Sequence, residues 1–384
     1  MDDWQQGGFG LYLHWPFCAS KCPYCDFNSH VVASVDQAAW RDAYLSELRR
    51  SAVETGGRVL SSVFFGGGTP SLMQPDLVAA ILDEVRRLWP RANDLEVTLE
   101  ANPNSVDSGR FRGYSAAGVN RISMGIQALN DEDLRRLGRL HSVAEARRAF
   151  DIARDCFGRV SFDLIYARQH QALDDWRREL AEAAAMAVDH LSLYQLTIED
   201  GTAFGARHAA GGLKGLPEDD IAADMYELTQ EVLDTAGMPA YEVSNHARDG
   251  AESRHNVIYW RYGDYIGIGP GAHGRLTLAG QRFATEAPRS PQMWLDSVQK
   301  RGNGELPRTA LSGEDCATEY ILMAMRLREG ADLRRYEALA GKPLDMEAIR
   351  RLEDMGLLGR SRDRIAATAS GRIVLNAILR EIVA

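Results

Sequence analysis

The chain has 384 residues, 45% hydrophobic and 26% charged, the make-up of an ordinary globular protein with room for two or three domains. Its net charge of −10, from 44 lysine and arginine against 54 aspartate and glutamate, argues against broad nucleic-acid binding. The first eight residues carry no basic or apolar signal region and no run reaches the length of a membrane span, so a cytoplasmic chain without a transmembrane segment is expected.

Residues 10–16 (Gly-Leu-Tyr-Leu-His-Trp-Pro) predict a strand, and Cys18-Ala-Ser-Lys-Cys22-Pro-Tyr-Cys25 follows it directly. Three of the five cysteines thus fall within eight residues, spaced C-x3-C-x2-C. Such thiolates can converge on one metal centre, because the short loop between them loses little entropy on closure. No fourth cysteine is near. A structural zinc site wants four closed ligands, whereas three thiolates on a four-iron cluster leave one iron open to a further ligand. Zinc completed by His14 or His30 is the alternative these residues leave open. An odd cysteine count in a long chain disfavours a disulfide framework.

A helix is predicted over 36–54, with Trp40, Tyr44, Leu48 and Ala52 on one face and Arg41, Glu47 and Arg49 opposite, ended by Gly56-Gly57. A strand over 59–65 runs into Gly66-Gly67-Gly68-Thr69-Pro70-Ser71, followed by a helix over 75–88. Strands are predicted over 95–100, 121–126, 159–166 and 190–196, with helices over 143–156 and 173–188. Six strands alternating with helices in about 200 residues imply βαβ units and a parallel sheet, doubly wound or rolled into a barrel. Distinctive polar residues gather at the strand ends: the cysteines, the glycine run, Glu100, Gln127, Asp163, Tyr194 and Gln195. Active sites of such sheets sit at that edge.

Beyond residue 200 the pattern changes. Residues 201–215 are rich in Gly and Ala and read as a loop, 216–236 as a helix, 301–308 as a linker and 314–384 as a small helical domain. Within it, helices are expected over 345–355 and 373–383, and 357–367 as a β-hairpin that gives a winged-helix-like shape. Gly66-Gly67-Gly68-Thr69-Pro70 is no P-loop, since no Gly-Lys-Ser/Thr follows. Gly267-Ile-Gly269-Pro-Gly271-Ala272 fits G-x-G-x-x-A but lacks a βαβ setting, so it reads as a ligand-facing turn. Cys156 and Cys316 lie in helical stretches and read as packed thiols.

The cysteine spacing with Tyr24 before the third cysteine, followed by Gly67-Gly68-Thr69-Pro70, resembles the radical S-adenosylmethionine (SAM) proteins. The likeness is closest to the group of oxygen-independent coproporphyrinogen III oxidase. It is carried by Tyr12-Leu-His-Trp-Pro-Phe-Cys18, Phe65 to Ser71, Glu100-Ala-Asn-Pro103, Asn120 to Gln127, Leu137-Gly-Arg-Leu-His141, Asp163-Leu-Ile-Tyr166, Tyr241-Glu-Val-Ser-Asn245 and His255 to Trp260. Within that group the oxidases carry a further cysteine where this chain has Phe27. The His255-Asn256-x-x-Tyr259-Trp260 motif instead resembles the HemW-type haem chaperones.

The resemblance implies an α/β fold, a partial (β/α)6 TIM-like barrel of the radical SAM type with a small, mainly helical C-terminal domain. It implies a barrel over 1–210, a connecting region over 211–300 and the C-terminal domain over 301–384. Cys18, Cys22 and Cys25 would hold a [4Fe–4S] cluster. Tyr12, Tyr24, Gly67, Gly68, Thr69, Glu100, Gln127, Arg139 and Asp163 would surround SAM, and His255, Asn256, Tyr259 and Trp260 would hold haem, with His255 as its ligand. The implied partners are haem and haem-accepting proteins, including respiratory components, in a monomer or dimer that touches membranes at most peripherally. Coproporphyrinogen oxidation and a zinc module without redox role are the alternatives. One departure stands out: the family's Pro-Gly turn after Asp163-Leu-Ile-Tyr166 is replaced by Ala167-Arg168-Gln169-His170, which puts that loop in doubt, and His170 reads as solvent-facing.

Overall fold

Short apolar runs alternating with amphipathic helices build one long sheet. The computed structural model describes residues 2–383. The strands are β1 (Phe9–Trp15), β2 (Leu60–Gly67), β3 (Arg91–Ala101), β4 (Arg121–Gln127), β5 (Arg159–Tyr166), β6 (His190–Gln195), β7 (Asn245–Ala247), β8 (Asp264–Ile268), β9 (His273–Leu278), β10 (Gln281–Glu286) and β11 (Thr309–Ala310). Their order is β11-β10-β9-β8-β1-β2-β3-β4-β5-β6-β7, and the two end strands do not pair, so the sheet stays open. Strands β1 to β6 are parallel in chain order, as six consecutive βα units require.

β8 joins parallel beside β1, Tyr12 opposite Gly267, and β9 to β11 extend that side antiparallel. The 211–300 stretch, expected as a connecting region, therefore supplies four strands to this sheet.

Alternation along β1 divides the molecule. Phe9, Leu11, Leu13 and Trp15 enter the main core under the helices, while Tyr12 and His14 face the other way. Trp40 of helix Gln37–Thr55 packs on Trp15 at 5.8 Å and stacks on Trp294 at 5.3 Å. Each such buried side chain contributes on the order of 1.5–3 kcal/mol. Glu47, expected on the outer face of that helix, is buried instead, because Arg50 pairs with it at 2.9 Å.

Two further expectations are corrected. Residues 201–215 are not all loop: Thr202 caps a helix, Ala203–Ala209, by accepting from the Gly205 N–H. The closing helix is broken at Val374 into Ala369–Ile373 and Leu375–Val383. The C-terminal region has its own core around Tyr320, Ile349, Ile365 and Ile378. Its hairpin Leu358–Ser361 with Arg364–Ala367 forms as expected and pairs with Ala331–Asp332.

Candidate functional site

The loop carrying the three cysteines is fastened on several sides. Gly68 N–H donates to Trp15 O at 2.7 Å and Thr69 N–H to Phe17 O at 2.9 Å, so the glycine run lies against the loop's entry. A Cβ on Gly68 would sit 2.8 Å from Phe17 O, which only glycine avoids. Asn28 Nδ2 donates to the carbonyls of Pro270 and Arg289, both at 2.9 Å, tying the loop's exit to the turn after β8. That turn is the Gly267–Ala272 motif, and the strand His273–Leu278 follows it where a dinucleotide fold would need a helix. Phe204 N–H donates to Pro23 O at 2.8 Å, and its ring lies 6.3 Å from Tyr24.

One cavity collects Cys18, Cys22, Cys25, Tyr24, Gly67, Gly68, Thr69, Glu100, Gln127, Arg139 and Asp163. Residues spread over 146 positions of sequence meet there because parallel strands bring their C-terminal ends to one edge. Gln127 sits at φ +78°, where the pairing of β4 with β5 slips by one residue, a distortion suited to re-aiming a side chain.

The polar groups aim at the sulfurs and at one another. Thr69 Oγ1 donates to Cys18 Sγ at 3.4 Å, and Arg139 Nη1 to Cys22 Sγ at 3.2 Å. Gly67 N–H donates to Glu100 Oε2 at 3.1 Å. Burial, reinforced by the Asp163 carboxylate, pushes the Glu100 pKa up to about 8. Burial likewise pushes Asp163 up to about 6, against hydrogen bonds from Ser192 and Ser123 and the charge of Arg139. Burial also raises the thiols of Cys18 and Cys25, so loading metal onto them releases protons.

Ser29, Asn102, Ser123 and Ser192 also serve this site and were not singled out from the sequence. The available signal was the register. Ser192 lies opposite Asp163 on the neighbouring strand, and Ser123 precedes Asp163's other partner, Gly125, by two.

Tyr12 belongs to a second cavity that shares Gly67, Glu100, Lys21, Phe27 and Ser29 with the first. Its hydroxyl pairs with His14 Nδ1 at 2.9 Å, and His14 Nε2 with Asn28 O at 2.9 Å. Both nitrogens of His14 are thus engaged, which disfavours its use as a zinc ligand. Among the described residues no three His, Cys, Asp or Glu side chains are gathered tightly enough to hold a single ion.

The His-Asn-x-x-Tyr-Trp residues form a short helix, Arg254–Trp260, against β2 and β8, and do not share one surface. His255 is only 3% exposed, stacked on Phe64 at 4.3 Å and on Tyr12 at 5.8 Å, with Tyr259 edge-on at 4.4 Å. Burial pushes its pKa down to about 3, so it is neutral. Asn256 donates to the Tyr241 hydroxyl at 3.4 Å, and the Trp260 ring lies under Arg326 of the C-terminal region.

Residues 12–183 match the Radical SAM superfamily, and residues 311–374 the HemN C-terminal domain. The chain is 38% identical to the heme chaperone HemW of Escherichia coli over 377 residues, 96% of each chain. The chain belongs to the HemW family of radical SAM proteins. A further relative, radical S-adenosyl methionine domain-containing protein 1, mitochondrial, of Bos taurus, is 38% identical over 96% of this chain and 86% of its own. The solved structure of coproporphyrinogen III oxidase (HemN) from Escherichia coli shares the fold. It has a TM-score of 0.81 and 23% identity over 98% of this chain and 90% of that one.

The cofactors of this superfamily are a [4Fe–4S] cluster and SAM, and the first cavity fits both. Three thiols face it without a fourth cysteine, two donors already point at sulfur, and partly buried carboxylates and a guanidinium offer partners for ribose, amine and carboxylate groups. When bound, the cluster supplies one-electron reduction of SAM. These residues would hold and orient that pair, with the Arg139 guanidinium placed against the Cys22 sulfur.

Proposed function

We propose that this chain is a haem chaperone: it takes up haem beside its cluster and SAM site and hands it to haem proteins in the cytoplasm, respiratory components among them. The observation that carries this reading is the 38% identity to a heme chaperone along 96% of both chains. Cys18, Cys22 and Cys25 are the cluster ligands in this reading, and the residues of the first cavity are the SAM contacts. The second cavity adjoins the first through Gly67 and Glu100, so haem bound there would adjoin SAM. Phe27, at the rim of both cavities, is 59% exposed and offers an aromatic surface where the oxidases resembled by this chain have a cysteine. Among the described residues no helix is long and apolar enough to cross a membrane, so any membrane contact in this reading is peripheral.

The test is an anaerobic incubation of reconstituted chain with SAM, a reductant and coproporphyrinogen III. The reading predicts no protoporphyrinogen IX above the rate without protein. Efficient, SAM-dependent formation of that product would replace the chaperone by an oxidase.

A further inference from the structure

His255 is the residue the sequence offers as haem ligand, yet its ring is closed in by Phe64, Tyr12 and Tyr259. Iron needs an imidazole nitrogen that can reach it, with the other nitrogen held by a hydrogen-bond partner. His273 offers the reachable nitrogen, and a carboxylate lies near its other one without a hydrogen bond between them. It opens β9, its side chain is 53% exposed, and its Nδ1 faces Glu286 Oε1 at 3.6 Å across the β9–β10 pair. Its Nε2 makes no hydrogen bond among the described residues.

The second cavity is lined by His14, His30 and His273 and by the carboxylates Asp26 and Glu100, and it also carries the features a flat aromatic ligand with two carboxylates needs. Tyr259 and Tyr265, 4.2 Å apart, form its aromatic wall, and Phe27 stands at its rim. Lys21 and Arg289 line the same space, and among the described residues neither has a carboxylate within 4.0 Å. Two cations without partners beside an aromatic wall suit propionates and porphyrin face.

We propose that haem binds in this second cavity with His273 Nε2 as its iron ligand, Lys21 and Arg289 on its propionates, and His255 as a positioning residue that holds Tyr259 in the wall. The inference rests on the haem-chaperone reading above. It also explains why a buried histidine stands in the motif: its ring fills the space between Phe64 and Tyr259 rather than meeting the metal.

The experiment titrates the full, cluster-loaded chain with haemin and, separately, with iron-free protoporphyrin IX, following the Soret band and ferric EPR. His273→Ala is expected to weaken haemin binding at least tenfold, to change the ferric signature, and to regain it on addition of imidazole. Its affinity for protoporphyrin IX is expected to stay within twofold of wild type, since only a bond to iron is lost. Arg289→Glu is expected to weaken both ligands, and His255→Phe, which keeps the stack filled, to leave the ferric signature unchanged. Unaltered haemin binding by His273→Ala, or a ferric signature lost in His255→Phe or His30→Ala instead, overturns the site while leaving the chaperone reading standing. A wild-type chain that binds no haemin overturns that reading and the site together.

Discussion

Arg139 joins the cysteine loop to the sheet: Nη1 donates to Cys22 Sγ at 3.2 Å and Nη2 to Gly125 O at 2.7 Å. A planar, permanently charged fork can hold sulfur and carbonyl at once, and an ammonium on a flexible stem cannot keep both geometries. Arg139→Lys should therefore keep the fold but lower SAM affinity about tenfold or more, as loss of a charge-assisted hydrogen bond worth roughly 1.5–3 kcal/mol implies. Calorimetric titration of the cluster-loaded variant with SAM checks this, and wild-type affinity would remove Arg139 from the site.

Glu100 gives a pH signature. Its folded pKa of about 8 lies above the roughly 4.3 of an unfolded glutamate. Between those values the folded chain keeps a proton that the unfolded chain has released, so rising pH weakens the fold by up to about 1.4 kcal/mol per unit. Below that window neither state is ionised, and above it the loss is complete. Thermal melts of metal-free chain should show wild type losing ground to Glu100→Gln from about pH 5 to 8. A difference that stays constant across this range would contradict the assignment.

The turn after β5 is a third test. The Pro-Gly expected from the family is absent, and Ala167 and His170 take left-handed conformations at φ +56° and +61° instead. Arg168, between them, is buried and spans Asp133 at 2.8 Å and Glu179 at 2.5 Å, which fixes the loop without glycine. Arg168→Met would leave two carboxylates short of their cation and should cost about 3–5 kcal/mol in chemical denaturation. Ala167→Gly should stabilise by about 1 kcal/mol, because the left-handed conformation is unstrained for glycine.

How far the sequence spoke follows from what is local. Helix Val143–Cys156 was legible because Ser142 and Glu145 form a capping box before an amphipathic run, and Pro75 marks the first turn of Pro75–Leu88 in the same way. Helix Ser108–Ala117 was missed. Its apolar residues gather weakly on one face, and the usable signals were the caps, Asp107 accepting from Gly109 and Arg110 and Gly118 in the left-handed region. The place of β8 beside β1 is a pairing across some 250 residues that no local period encodes. The cysteine spacing was local and legible. The enclosure of His255 depends on Phe64, Tyr12 and Tyr259 converging from three elements, which only the fold reveals.

The glycine run offers a steric test. Gly68→Ala would push a Cβ against the Phe17 backbone, which cannot yield without moving the cysteine loop. Iron loading and SAM binding should both fall at least tenfold at unchanged helix content. Gly57→Ala, with nothing within 4 Å of the added carbon, should leave both unchanged. Equal behaviour of the two variants would show that the run is an ordinary turn.

The most direct measurement of the whole account is haem transfer. Purified, cluster-loaded chain charged with haemin is mixed with an apo haem protein, and the acceptor's Soret band and activity are followed over time. Haem is expected to move to the acceptor faster than free haemin is taken up at equal concentration. A chain that keeps its haem, or an acceptor filled no faster than by free haemin, would contradict that expectation.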